Sequence, residues 1–333
     1  MGPDKNSKVW AGLDLGSNSL RLQIVQPAGE GEFEQIDAGR STLRLANDAF
    51  DTGRFSEKTI ERLKGAMAAF ASAMYGQDVT RYRSVATEAF RRAANHEEAA
   101  ERVREAAGIR IETISSEEEA RLVLVAVRAE LGDLEGAPPL VVDLGGGSLD
   151  LILDRGEGKE PLLESHALGL AARFESFLAE RVAGEEVRRG LGQEAARIGE
   201  RLDSAILDDA PEGAPVVFVG GQAAMLDLLA EQWGMWSAAD STRDGAPLDA
   251  FDTFYERLAG TPPEILEGLR IPADRAPMLT GAAALYRALA VRVGSPSMRL
   301  PRTGLMDGLL RTIGEEGHPW PPEEEQGVDK RSL

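Results

Sequence analysis

Two short segments of this chain carry carboxylates, hydroxyls and glycines at matching offsets. Asp14-Leu-Gly-Ser-Asn-Ser19-Leu-Arg-Leu22 aligns without a gap to Asp143-Leu-Gly-Gly-Gly-Ser148-Leu-Asp-Leu151. Six of the nine positions are identical, which argues for duplication rather than for two unrelated glycine turns. A tight Gly/Ser turn aims several N–H groups and hydroxyls into one concavity, an arrangement suited to phosphate oxygens. An Asp at the adjoining strand end cannot bind phosphate directly, but it can hold a hydrated Mg²⁺ or Mn²⁺ that does. Asp14 and Asp143 are therefore candidate cation ligands. Ser17, Asn18, Ser19, Gly145, Gly146, Gly147 and Ser148 are candidate phosphate contacts.

The elements that must position these turns follow from periodicity and punctuation. Each turn lies between apolar runs, Val9–Asp14 with Leu20–Gln26 and Leu140–Asp143 with Leu149–Leu153, which read as strand pairs. Ser56 heads an amphipathic helix whose apolar positions are Ile60, Leu63, Met67, Phe70 and Met74, with Gly76 as its stop. A strand is expected at Arg81–Ala86. A helix is expected from Asn95 to Ala107, with Asn95 and Glu98 as a capping pair and Gly108 as its end. A strand at Ile109–Ile114 and a helix at Glu117–Leu131 follow. That order places Glu119 at the carboxyl edge of the first sheet, where ligand clefts of α/β folds open. Ser116-Glu-Glu-Glu119 also has the spacing of a capping box, in which Glu119 would reach back to its own helix start.

Downstream, a helical stretch over roughly 170–208, a strand at Val216–Val219, helices at Gln222–Gln232, Pro277–Val291 and Gly304–Thr312, and a strand near Met298–Leu300 are expected. Two copies of strand–turn–strand imply two related α/β domains facing a shared cleft. The expected boundaries are 8–131, 132–314 and an acidic, disordered tail over 315–333.

The motifs resemble the successive signatures of the exopolyphosphatase / guanosine pentaphosphate phosphatase family. They are the Asp14 turn, Ala86-Thr-Glu-Ala-Phe-Arg91-Arg-Ala-Ala-Asn95, Ile114-Ser-Ser-Glu-Glu-Glu119-Ala-Arg-Leu and the Asp143 turn. Ala273-Asp-Arg-Ala-Pro-Met-Leu-Thr-Gly281 and Gly304-Leu-Met-Asp-Gly308-Leu-Leu resemble its C-terminal signatures, so the likeness runs over roughly 9–313. The resemblance implies two actin-like (ribonuclease H-like) domains and Mg²⁺-dependent hydrolysis of terminal phosphate from polyphosphate or guanosine pentaphosphate. It implies Glu119 as the general base that activates water, Arg91 as the group that neutralises the phosphoryl oxygens, and Asp150 as a catalytic carboxylate. Asp150 stands where the family usually has Glu. Arg173 sits one place late in Gly169-Leu-Ala-Ala-Arg173, and the turn at Gly220-Gly-Gln lacks the family's Thr.

Composition narrows the partners. The chain has 333 residues, no Cys and a formal net charge of −19. A surface that acidic disfavours nucleic acid, and any polyanionic substrate must be met by local N–H groups, arginines and a cation. No apolar run reaches membrane-spanning length and nothing resembles a signal peptide, so a cytoplasmic protein is expected, with a homodimer as one assembly open to it. His96, His166 and His318 are too scattered to form a metal triad. Two other readings share the motifs: an actin-like kinase or ATPase, and a phosphate or alarmone sensor without turnover.

Overall fold

A computed structural model describes residues 8–29, 31–132, 138–145, 148–156, 159–166, 185–269, 271 and 276–322. The chain forms two units, one running to Ala126 and resuming at Leu305, the other spanning Val127–Gly304.

The first unit is built on β1 (Trp10–Leu15), β2 (Ser19–Gly29), β3 (Glu32–Thr42), β4 (Arg81–Ala86) and β5 (Glu112–Thr113). β1 pairs antiparallel with β2 and β2 with β3, whereas β1 pairs parallel with β4 and β4 with β5. The helices are α1 (Leu45–Asp51), α2 (Glu57–Gly76), α3 (Glu88–Arg92), α4 (His96–Ala107) and α5 (Ser116–Leu131). Ser56 caps α2 as expected, its Oγ accepting from the Thr59 N–H at 3.2 Å. Gly108 ends α4 with φ 67°. Asn95 stands at the N-cap of α4 as expected, but its side chain does not cap the helix: it accepts from the Phe55 N–H at 2.8 Å and donates to the Phe55 carbonyl at 3.0 Å, pinning the entry to α2 instead. The expected strand Ile109–Ile114 shrinks to Glu112–Thr113; the Arg110 N–H donates to the Tyr82 hydroxyl at 2.9 Å instead of to the backbone of a neighbouring strand.

In the second unit the strands are β6 (Leu140–Leu144), β7 (Leu149–Leu153), β8 (Leu162–His166), β9 (Val216–Val219), β10 (Ala246–Pro247) and β11 (Ser297–Arg299). β6 pairs antiparallel with β7 and β7 with β8, whereas β6 pairs parallel with β9 and β9 with β11. The order β8-β7-β6-β9-β11 thus repeats the order and directions of β3-β2-β1-β4-β5. Around it lie α6 (Glu185–Arg201), α7 (Ala205–Asp209), α8 (Gly220–Gln232), α9 (Ala238–Arg243), α10 (Leu248–Gly260), α11 (Pro263–Gly268) and α12 (Ala276–Arg292). The helices at 238–268, unread in the sequence, bring Phe251 and Phe254 into the core against Trp236. Among the described residues no helix is long and apolar enough to cross a membrane.

The chain end departs from expectation. α13 (Leu305–Glu316) packs on β1 and β4 of the first unit, not in the second domain to which 305–314 were assigned. The first part of the expected tail is ordered as well. β12 (His318–Pro319) pairs with β4, and buried Trp320 packs on Tyr75 and Tyr82 with ring centroids 4.8 and 5.4 Å away. The acidic composition misled here because Glu316 is held by Arg83 and Arg121, while Trp320 supplies the apolar anchor. Residues 323–333 lie outside the described set.

Gly308 lets α13 sit against α5: a Cβ there would collide with the Leu122 backbone carbonyl. Replacing a helical Gly by Ala gains about 1 kcal/mol of propensity, whereas forcing atoms into a packed contact costs typically 1–3 kcal/mol and more against rigid backbone. The contact should win. Gly308→Ala is expected to lower the midpoint of thermal unfolding by several degrees; an unchanged or raised midpoint would show that the helices part freely.

Candidate active site

The repeated turns are built alike. At the end of β1 the Gly16 N–H donates to the Ser19 carbonyl at 3.2 Å, and at the end of β6 the Gly145 N–H donates to the Ser148 carbonyl at 2.9 Å. In the first unit the Ser17 and Asn18 carbonyls accept from the Ala46 and Arg44 N–H groups, both at 2.9 Å, which turns those oxygens toward α1. Ser17 and Ser19 are buried and Asn18 is half-buried. In the second unit the Ser148 hydroxyl donates to Asp150 Oδ2 at 3.1 Å, so its proton is already committed. Gly145 is exposed, while Gly146 and Gly147, like Arg173, lie outside the described residues.

The carboxylates differ between the copies. Asp14 faces Arg21 across β1 and β2. Burial raises the Asp14 pKa above the usual carboxylate range, with Arg21 pulling partly the other way. Asp143 faces Asp150 across β6 and β7. Two carboxylates directly opposite on an antiparallel pair repel unless a proton or a cation is shared. Asp143 Oδ1 also lies 2.6 Å from where a Cβ on Gly220 would stand, and Gly220 has φ +83°, so only glycine admits that close approach. The Gly220 N–H donates to the Thr303 carbonyl at 3.2 Å.

Among the described residues no three His, Asp or Glu side chains converge as a metal cage. Single carboxylates with oxygen donors alone suit Mg²⁺, which keeps most of its water and is held through one or two carboxylates and phosphate. Asp14, and Asp143 with Asp150, therefore fit such a cation.

Arg91 and Glu119 are brought together by the first unit. The Leu15 carbonyl accepts from the Thr87 N–H at 3.3 Å, so α3 starts where β1 and β4 end. Arg91 Nη1 donates to Glu119 Oε2 at 2.8 Å and to the Ile114 carbonyl at 3.0 Å, while Nη2 donates to Glu88 Oε2 at 3.1 Å. Burial opposes the guanidinium charge, but Glu119 and Glu88 outweigh it and hold the Arg91 pKa above that of ordinary arginine. Ser115 caps α5, its Oγ accepting from the Glu118 N–H at 3.2 Å and its carbonyl from the Glu119 N–H at 3.0 Å. Glu88 was missed in the sequence, although its three-residue spacing from Arg91 on a short helix was a legible signal.

A helix-backed sheet of this strand order, present twice and ending its first strand each time in Asp and a closed turn, defines an actin-like α/β protein. The chain belongs to the Ppx/GppA phosphatase family, whose model matches residues 24–314. It is 26% identical over 314 residues to exopolyphosphatase 1 of Mycobacterium tuberculosis, covering 91% of this chain and 88% of that one. Exopolyphosphatase 1 of Mycobacterium leprae is also 26% identical, over 310 residues, with 91% and 89% covered. In fold it resembles the Aquifex aeolicus Ppx/GppA family member, with a TM-score of 0.72, 23% identity and 92% and 97% of the two chains covered.

The Asp14 environment generates a test. An Asp whose folded pKa is raised loses stability as pH climbs above the ordinary carboxylate value, because the unfolded chain ionises first. At pH 7 Asp14 therefore costs stability in metal-free protein, whether burial strains its charge or holds its proton. Asp14→Asn should melt higher than wild type in EDTA, and Mg²⁺ should raise the melting temperature of wild type more than that of the variant. A lower melting temperature for Asp14→Asn in EDTA would contradict this electrostatic picture.

Proposed function

We propose that this phosphatase-family chain releases terminal phosphate from inorganic polyphosphate, with Glu119 as general base and divalent cations held through Asp14 in the first unit and through Asp143 with Asp150 in the second. The carrying observation is the Arg91 guanidinium shared between the Glu119 carboxylate and the Ile114 carbonyl. A carboxylate locked to a guanidinium accepts a proton poorly. A terminal phosphoryl group that draws Arg91 onto its own oxygens frees Glu119 at the moment a base is needed. Substrate would thus switch on the base.

In this reading Glu119 orients a water and takes its proton as the water oxygen attacks the terminal phosphorus. The new P–O bond replaces the bridging P–O bond, and the shortened chain leaves with the electron pair. Arg91 meets the charge that develops on the phosphoryl oxygens. When bound, the cation neutralises phosphate charge that this acidic chain would otherwise repel. The name shared by the mycobacterial relatives supports polyphosphate as substrate; the terminal anhydride of guanosine pentaphosphate offers the same chemistry.

Phosphate release from polyphosphate, guanosine pentaphosphate and ATP, measured side by side with and without EDTA, tests this reading. Polyphosphate should be turned over and EDTA should stop it; transfer from ATP to an acceptor would speak for a kinase instead. Glu119→Gln keeps a hydrogen-bond acceptor for Arg91 but cannot take a proton. It should leave KM and the melting temperature close to wild type and cut kcat by about 10²-fold or more. Normal turnover in that variant would remove the base from the mechanism.

A further inference from the structure

Glu118, the chain neighbour of Glu119, belongs to a second arginine hub that the reaction scheme leaves unused. Arg83 stands inside β4 with its side chain only 6% exposed. Its Nε donates to Glu112 Oε2 at 3.1 Å, its Nη2 to Glu118 Oε1 at 2.9 Å, and its Nη1 to Thr312 Oγ1 at 3.0 Å and to Glu316 Oε2. Glu118 precedes Glu119 in the first turn of α5. The segment leading into that turn is tied to the end of β4 by the Ile114 N–H, which donates to the Ala86 carbonyl at 3.0 Å.

Neighbouring side chains on a helix point about 100° apart around the axis. Glu118 is therefore drawn to one side of α5 by Arg83 while Glu119 is drawn to another by Arg91. Any rotation of α5 that moved Glu119 would strain the Arg83–Glu118 bond. Arg83 cannot follow, because it is rooted in the sheet and held by two further carboxylates.

We propose that Arg83, acting through Glu118, is a positioning residue for hydrolysis that fixes the rotation of α5 and with it the aim of the Glu119 carboxylate. This rests on Glu119 being the base. Through Glu316 the same hub ties that aim to the returning helix α13.

Glu118 is the place to test this, because removing it leaves Arg83 neutralised by Glu112 and Glu316, and the Ser115 cap uses only the Glu118 backbone. Its exposed pair with Arg121 contributes little. Glu118→Ala should lower kcat roughly tenfold, as small displacements of catalytic groups do, with KM within about twofold of wild type. Glu118→Gln, whose amide oxygen can still accept from Arg83 Nη2, should recover most of the loss. The decisive comparison is the cycle with Glu119→Gln, at enzyme concentrations that keep its rate above background. If Glu118 works by aiming Glu119, the double variant should turn over no more slowly than Glu119→Gln alone. A folded Glu118→Ala with wild-type kcat would overturn the proposal, as would a loss that adds in full to that of Glu119→Gln. Normal turnover in Glu119→Gln would remove the base reading itself, and the positioning role with it.

Discussion

The parallel pairing of β1 with β4 is the constraint on which the first unit's chemistry depends. It sets Asp14 beside Val85 and Leu15 beside Ala86, so the turn after β1 and the helix after β4 begin at the same level. From there Arg91 reaches α5, the next element in the chain, and α5 is itself hung on the end of β4 through Ile114. In the second unit the pairing of β6 with β9 does the same: Asp143 stands beside Val219, and the following Gly220 admits its carboxylate. In both units parallel strands direct their carboxyl ends, and the loops that follow them, to one edge.

Much of this could be read from local signals. The Ser56 cap, the Gly108 stop and the Asp turns are short-range chemistry, and each appears where the sequence predicts it. What escaped was set by distant partners. Asn95 has the type and spacing of a helix cap, yet its amide bonds to a backbone 40 residues away. β3 was not read because its Glu32, Glu34, Gln35 and Ile36 are exposed on an edge strand, which leaves no apolar alternation to detect. Arg91 and Glu119 were each singled out through resemblance, but their 2.8 Å contact follows from sheet order, not spacing. Ser116 looked like the start of a capping box, but the cap is one residue earlier, at Ser115, and the Glu119 carboxylate accepts from Arg91.

Duplication has kept the backbone and altered the charges. The residue across from the turn Asp is Arg21 in one unit and Asp150 in the other. One copy thus partly neutralises its buried carboxylate internally, whereas the other sets two acids face to face and calls for a cation or a proton. The closing hydrogen bond of each turn survives this divergence, because it uses only main-chain atoms.

The first unit is not contiguous in the chain: it takes its last helix from residues 305–316, after the whole of the second unit has been made. A nascent chain grows at about 5–20 residues per second. Until α13 emerges, the apolar face formed by Val25, Val85, Ile114 and Leu122 lacks the residues Met306, Leu309, Leu310 and Ile313 that complete it. On the ribosome the half of the molecule synthesised first is therefore the half completed last, and through those seconds its uncovered sheet is a surface for chaperones to shield.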